Sequence, residues 1–72
     1  NVLIAAGNSG RKELAPWIEK KLKDPSPLVR AHGVWAYNRL LGKESKPFLI
    51  TMMEQEKEPM VLKEFKSIFQ KE

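Results

Sequence analysis

Leu28, His32, Trp35 and Arg39 stand four, three and four residues apart, a spacing that puts them on one face of a helix. An imidazole, an indole and a guanidinium in one row suit RNA: the guanidinium pairs with phosphate, and the rings stack on a base or a sugar. His32 is the only histidine, and the chain has no cysteine. A metal site or a general base would need further groups of those types, so His32 is discounted in both roles. Beside a phosphate backbone it can still take up a proton. Trp35 has a second reading, as a structural residue packed on an adjoining element, and the apolar Ile4 one repeat earlier favours it. Arg39 stays open as an RNA contact.

Arg11, Lys12, Arg39 and Lys43 fall at corresponding places one repeat apart and are expected to gather along one edge. With His32 they form the candidate RNA-contact set. Solvated lysines scattered over helix faces are the commoner source of such counts. Thirteen Lys and Arg against nine Asp and Glu give a net charge of +4, which favours an acidic partner, nucleic acid being the commonest. Asp24 and Arg30 flank a proline-rich turn. They are expected to pair and tie that loop to the next helix, in preference to Arg30 binding phosphate, so Asp24, Arg30 and Trp35 make the candidate structural set.

The elements that must position these residues follow from periodicity and punctuation. Ala15-Pro16-Trp17-Ile18 returns as Lys46-Pro47-Phe48-Leu49, and Pro27-Leu28-Val29 as Pro59-Met60-Val61, a period of about thirty-one residues. Self-similarity of this length marks a helical solenoid, whose units bury their apolar faces against one another. Asn1 to Ala6 reads as the end of a helix, stopped by a Gly7 to Gly10 run. A helix from about Lys12 to Lys23 carries Leu14, Ile18 and Leu22 at four-residue spacing, with Trp17 beside them. Ser26 and Pro27 are the cap and first position of a helix reaching Leu41, with Gly42 as its stop. A helix from about Ser45 to Gln55 and another from Pro59 complete the chain. No segment alternates with period two, so the class is all-α.

The chain is one domain, with repeat units of about 12–42 and 43–72. No stretch nears the roughly eighteen apolar residues of a membrane span. The last helix, with Lys63, Lys66 and Lys71 opposite Phe65, Ile68 and Phe69, has the look of a membrane-surface helix. Glu64 and Glu72 dilute its positive face, and it is expected to close the core rather than bind lipid. The absence of cysteine excludes disulfides and thiolate metal sites and suits the cytoplasm. Opening at Asn1 inside an apolar run, the chain is expected to be a piece of a larger protein.

Asn1-Val2-Leu3-Ile4-Ala5-Ala6-Gly7-Asn8-Ser9-Gly10, Asp24-Pro25-Ser26-Pro27-Leu28-Val29-Arg30 and Val34-Trp35-Ala36 resemble HEAT-like repeats. More narrowly, they resemble the C-terminal repeat segment of bacterial tRNA epoxyqueuosine reductase. The resemblance covers Asn1 to about Leu41 and implies a HEAT-like α-α superhelix: two helical hairpins behind a partial helix. Enzymes of that family reduce epoxyqueuosine to queuosine at the wobble position of tRNA, using cobalamin and two [4Fe–4S] clusters held in upstream domains. The resemblance thus implies an accessory region, without catalytic residues or cofactor of its own, whose partners are the tRNA anticodon stem-loop and the upstream catalytic domain. Two positions depart from the family pattern: Ala36-Tyr37-Asn38 replaces Ala-Leu-Gly, and Arg11 replaces an acidic residue. A protein-docking HEAT module of an unrelated scaffold is the alternative. A chromophore-lyase-like enzyme would need a nucleophile or a paired acid and base, and neither is visible.

Overall fold

Ser26 and Pro27 set the start of the longest helix. The Ser26 hydroxyl accepts the Val29 N–H (3.4 Å), and proline, whose missing N–H costs nothing there, occupies the first position. The helix ends where Gly42 turns to φ 58°, a conformation that a side chain resists. In the computed structural model, which describes residues 1–70, five helices form: α1 (Val2–Asn8), α2 (Ala15–Lys21), α3 (Pro27–Leu41), α4 (Lys46–Gln55) and α5 (Pro59–Phe69). Short 3₁₀ turns, Lys12–Leu14 and Gly42–Ser45, lead into α2 and α4. The fold is all-α, and no described residue lies in a strand. The expectations placed on Lys71 and Glu72 lie outside the described residues.

The bounds of α3 and the start of α5 at Pro59 agree with the sequence reading. The second helix is shorter than Lys12 to Lys23. Its first residues take the tighter 3₁₀ form ahead of Pro16, and its end is cut back because Pro25 excludes a helical Asp24. The same device recurs one period later, with Gly42–Ser45 ahead of Pro47.

Gly7 does not stop the first helix. It lies inside α1, buried, and a β-carbon there would stand 2.9 Å from the Ala36 Cα and 3.2 Å from its Cβ. The missing side chain of this glycine lets α1 lie close against α3 at Ala36. Gly10, with φ 73°, breaks the chain direction instead.

α3 is the hub. It packs against α1, α2 and α5, while α4 packs on α5 and on the 3₁₀ turn before it. Thus α1, α3 and α5 form one row, and α2 and α4 lie on it. Ile18, Val34, Leu49, Val61 and Phe65 are almost wholly buried between them. Each such side chain contributes about 1.5–3 kcal/mol relative to exposure. The departure at Tyr37-Asn38 is accommodated in this core. The buried Tyr37 ring lies 5.2 Å from Phe48, centroid to centroid, and its hydroxyl donates to Glu19 Oε2 (2.7 Å). Burial first, then Glu19, raises the Tyr37 phenol well above its ordinary value. Asn38 Oδ1 accepts from the buried Ser45 hydroxyl (3.2 Å), tying α3 to the turn that follows.

Candidate functional site

The outer face of α3 carries Leu28, His32, Trp35 and Arg39, as their spacing requires. Gly33, Ala36 and Leu40 are buried on the inner side, and Val29 is half-buried. Leu28 and Arg39 are exposed, His32 is half-buried, and Trp35 keeps 38% of its surface open. Trp35 also touches α1: its ring edge lies 3.0 Å from where a Gly7 β-carbon would be.

Two hydrogen bonds fasten this face to α1, each joining residues 31 apart. Asn1 caps α1 with its side-chain oxygen, accepting the Leu3 N–H (2.8 Å), which leaves its amide nitrogen 2.7 Å from His32 Nδ1. An amide nitrogen only donates, so the ring accepts at Nδ1 and is free to present Nε2–H elsewhere. Arg39 Nε donates to Asn8 Oδ1 (2.9 Å). Between these ties, Ile4, Ala31, His32, Trp35 and Glu64 line a shallow pocket of about 210 Å³. The site therefore offers one indole, one imidazole, one guanidinium and one carboxylate on a partly apolar floor.

The basic edge is only partly basic. Lys12 reaches Glu44 Oε1 (3.5 Å), which brings the first loop beside Lys43, but Arg11 bends back to Glu13 Oε2 (3.0 Å). Among the described residues Lys43 makes no ion pair. Hydrogen bonding to backbone, then to Arg11, holds the Glu13 carboxyl below the usual carboxylate range. Glu13 and Glu44 are thus members of the edge that the search for basic residues overlooked. The signal was present, since each directly follows a lysine of the candidate set.

Arg30 does tie the interhelical loop, but not through the Asp24 carboxylate. Its Nη1 donates to the backbone carbonyls of Asp24 (2.8 Å) and Pro25 (3.0 Å), and Asp24 Oδ1 instead accepts the Ser26 N–H (2.9 Å). The charge partner is Glu56, in the α4–α5 linker. Arg30 Nε and Nη2 meet its two carboxylate oxygens at 2.9 and 3.0 Å, a bidentate pair. Glu56 Oε2 also accepts the N–H groups of Lys57 (3.2 Å) and Glu58 (3.1 Å). Hydrogen bonds from Arg30, ahead of those backbone groups, lower the Glu56 pKa against the opposing effect of burial. With its guanidinium engaged on both sides, Arg30 is poorly placed to bind phosphate. Among the described residues, no group of His, Asp and Glu could hold a metal ion, and no helix is long and apolar enough to cross a membrane.

Comparison of the chain with protein-family models, with curated proteins and with solved structures finds no match.

Proposed function

We propose that the chain is a HEAT-like repeat segment of a tRNA epoxyqueuosine reductase, an accessory region that helps seat the tRNA anticodon stem-loop beside the enzyme's catalytic domain. The cobalamin and [4Fe–4S] clusters of that enzyme would be held by other parts of the parent, since this chain has no cysteine to ligate iron. The observation that carries the reading is the outer face of α3. Its His32, Trp35 and Arg39 stand together, fixed to α1 by the Asn1 and Asn8 side chains, with Lys12 and Lys43 on the neighbouring edge. Two helical hairpins behind a first helix, with two side-chain hydrogen bonds that each join residues 31 apart, support the repeat reading.

In this reading Arg39 and Lys43 neutralise backbone phosphates, Trp35 stacks on an unpaired base, and His32 donates from Nε2. Such contacts set position and affinity; phosphate contacts read no bases. The test is binding of a fluorescent anticodon stem-loop over a range of salt. Arg39→Ala combined with Lys43→Ala should weaken binding and reduce the slope of log K against log [salt] by about 1 to 2. Unchanged affinity and slope would defeat the RNA reading.

The exposed Ile4, Leu28, Trp35 and Met60 favour a second reading, a protein-docking repeat module. Loss of a protein partner on Trp35→Ala, with no response to Arg39→Ala, would select it.

A further inference from the structure

The pocket on the outer face of α3 contains one group that an RNA backbone would repel. Glu64 of α5 lines it, together with Ile4 of α1 and Ala31, His32 and Trp35 of α3. Glu64 is half-buried, and among the described residues its carboxylate forms no ion pair. Only its backbone carbonyl is bonded, by the Ser67 hydroxyl (2.9 Å). A carboxylate beside phosphate weakens binding, so its place next to Trp35 and His32 calls for a ligand group that donates. The pocket holds about 210 Å³, less than the roughly 300–1,000 Å³ of sites for drug-sized ligands. That suits one flat ring system. Trp35 offers such a ring an open stacking surface, and Ile4, 43% exposed, adds apolar contact. The Asn1 amide occupies His32 Nδ1, so the neutral imidazole donates from Nε2. Ionised Glu64 only accepts, at two oxygens. His32 and Glu64 do not pair with each other, which leaves both free for a ligand.

We infer that this pocket binds an unpaired guanine by its Watson–Crick edge. The N1–H and the adjacent N2 amine donate to the two Glu64 oxygens, O6 accepts the His32 Nε2–H, and the ring stacks on Trp35. Of the four RNA bases, only guanine carries two neighbouring donors beside an acceptor on that edge. Adenine and cytosine have one amine next to a bare ring nitrogen, which would meet the second carboxylate oxygen lone pair to lone pair. Uracil has a single N–H between two carbonyls. Arg39 lies one helical turn beyond Trp35. Its Nε is bonded to Asn8, and its terminal amino groups are left for the phosphate of the same nucleotide. An arginine from a protein partner would also suit Glu64 and Trp35. It would, however, bring a second cation beside Arg39 and meet the His32 donor with nothing to accept from it. The inference rests on the RNA reading and adds base choice to it: phosphate contacts seat the strand, and the pocket selects the nucleotide.

The experiment measures the affinities of fluorescent single-stranded oligouridines that carry guanosine, adenosine, cytidine or uridine at the central position. The guanosine oligomer should bind about tenfold more tightly than the other three. Inosine, which keeps N1–H and O6 but lacks the N2 amine, should fall between. Glu64→Gln removes a negative charge and so strengthens every oligomer alike. The ratio of guanosine to uridine affinity cancels that effect, and in Glu64→Gln the preference should vanish. His32→Ala should lower the same ratio. Salt-dependent binding without a guanosine preference would overturn the pocket and leave the RNA reading standing. So would a preference that survives Glu64→Gln. Failure of every oligomer to bind at low salt would overturn both. Movement of the Trp35 indole NMR signal by N-acetyl-arginine amide, lost in Glu64→Gln and without any base preference, would assign the pocket to a cationic protein segment and overturn the guanine.

Discussion

Arg30 and the edge of Arg11, Lys12, Arg39 and Lys43 use the same kind of charge in opposite ways. Arg30 is turned inward. It closes on Glu56 with two bonds and on two backbone carbonyls with two more, and both side chains are largely withdrawn from water, at 18% and 8% exposure. The edge residues face water, and their acidic partners Glu13 and Glu44 are about as exposed as they are. Charge held in low dielectric by several bonds fixes structure, whereas charge in water is screened and stays available to a partner. The difference teaches that, in this chain, position relative to the core decides what an arginine does, and residue type alone does not.

Breaking the clasp should have the largest effect. Glu56→Ala leaves the Arg30 guanidinium partly buried without its counter-charge and frees the α4–α5 linker. The thermal midpoint should drop by about 5–10 °C, read by circular dichroism, with stem-loop affinity per folded molecule unchanged.

The clasp also has a pH signature. Because Glu56 is held below its ordinary value in the folded chain, its contribution is present in full above the ordinary carboxylate pKa of 4.5 and is lost as pH falls through the lower folded value. Stability should therefore decline on acidification below about pH 4.5. Glu56→Gln should flatten that decline, as followed by urea unfolding at stepped pH.

A packing change sits next in size. Gly7→Ala raises helix propensity by about 1 kcal/mol, yet its β-carbon meets the Ala36 backbone. Overpacking of this kind costs about 1–3 kcal/mol, so the net effect in chemical denaturation should be destabilising. A stabilised Gly7→Ala variant would show that α1 and α3 are not tightly apposed.

The edge should respond least in stability and in the opposite sense for binding. Arg39→Ala with Lys43→Ala should shift the midpoint little while weakening RNA binding. Glu13→Gln with Glu44→Gln should strengthen binding and steepen its salt dependence, because the two carboxylates dilute the field of the edge.

These contrasts also mark what was legible in the chain. The bounds of α3 could be read because capping is local chemistry: Ser26, Pro27 and Gly42 each act within one turn of the end they define. The outer row of α3 could be read because spacing alone fixes a face. Glu56 could not be found, since it lies 26 residues from Arg30 and reaches it only once α4 has turned back on the core. The role of Gly7 was likewise hidden, because it depends on the backbone of another helix, and a glycine ahead of Asn-Ser-Gly reads locally as a helix stop. The acidic share of the edge was visible in Lys12-Glu13 and Lys43-Glu44, but a count of basic residues passes over it.

The most direct test of the RNA-seating claim is an NMR titration of the chain with a tRNA anticodon stem-loop, at low and at moderate salt. The account predicts shifts at His32, Trp35, Arg39 and Lys43 that weaken as salt rises, with Arg30 and Glu56 unmoved. No shifts at low salt, or shifts centred on Arg30, would contradict it.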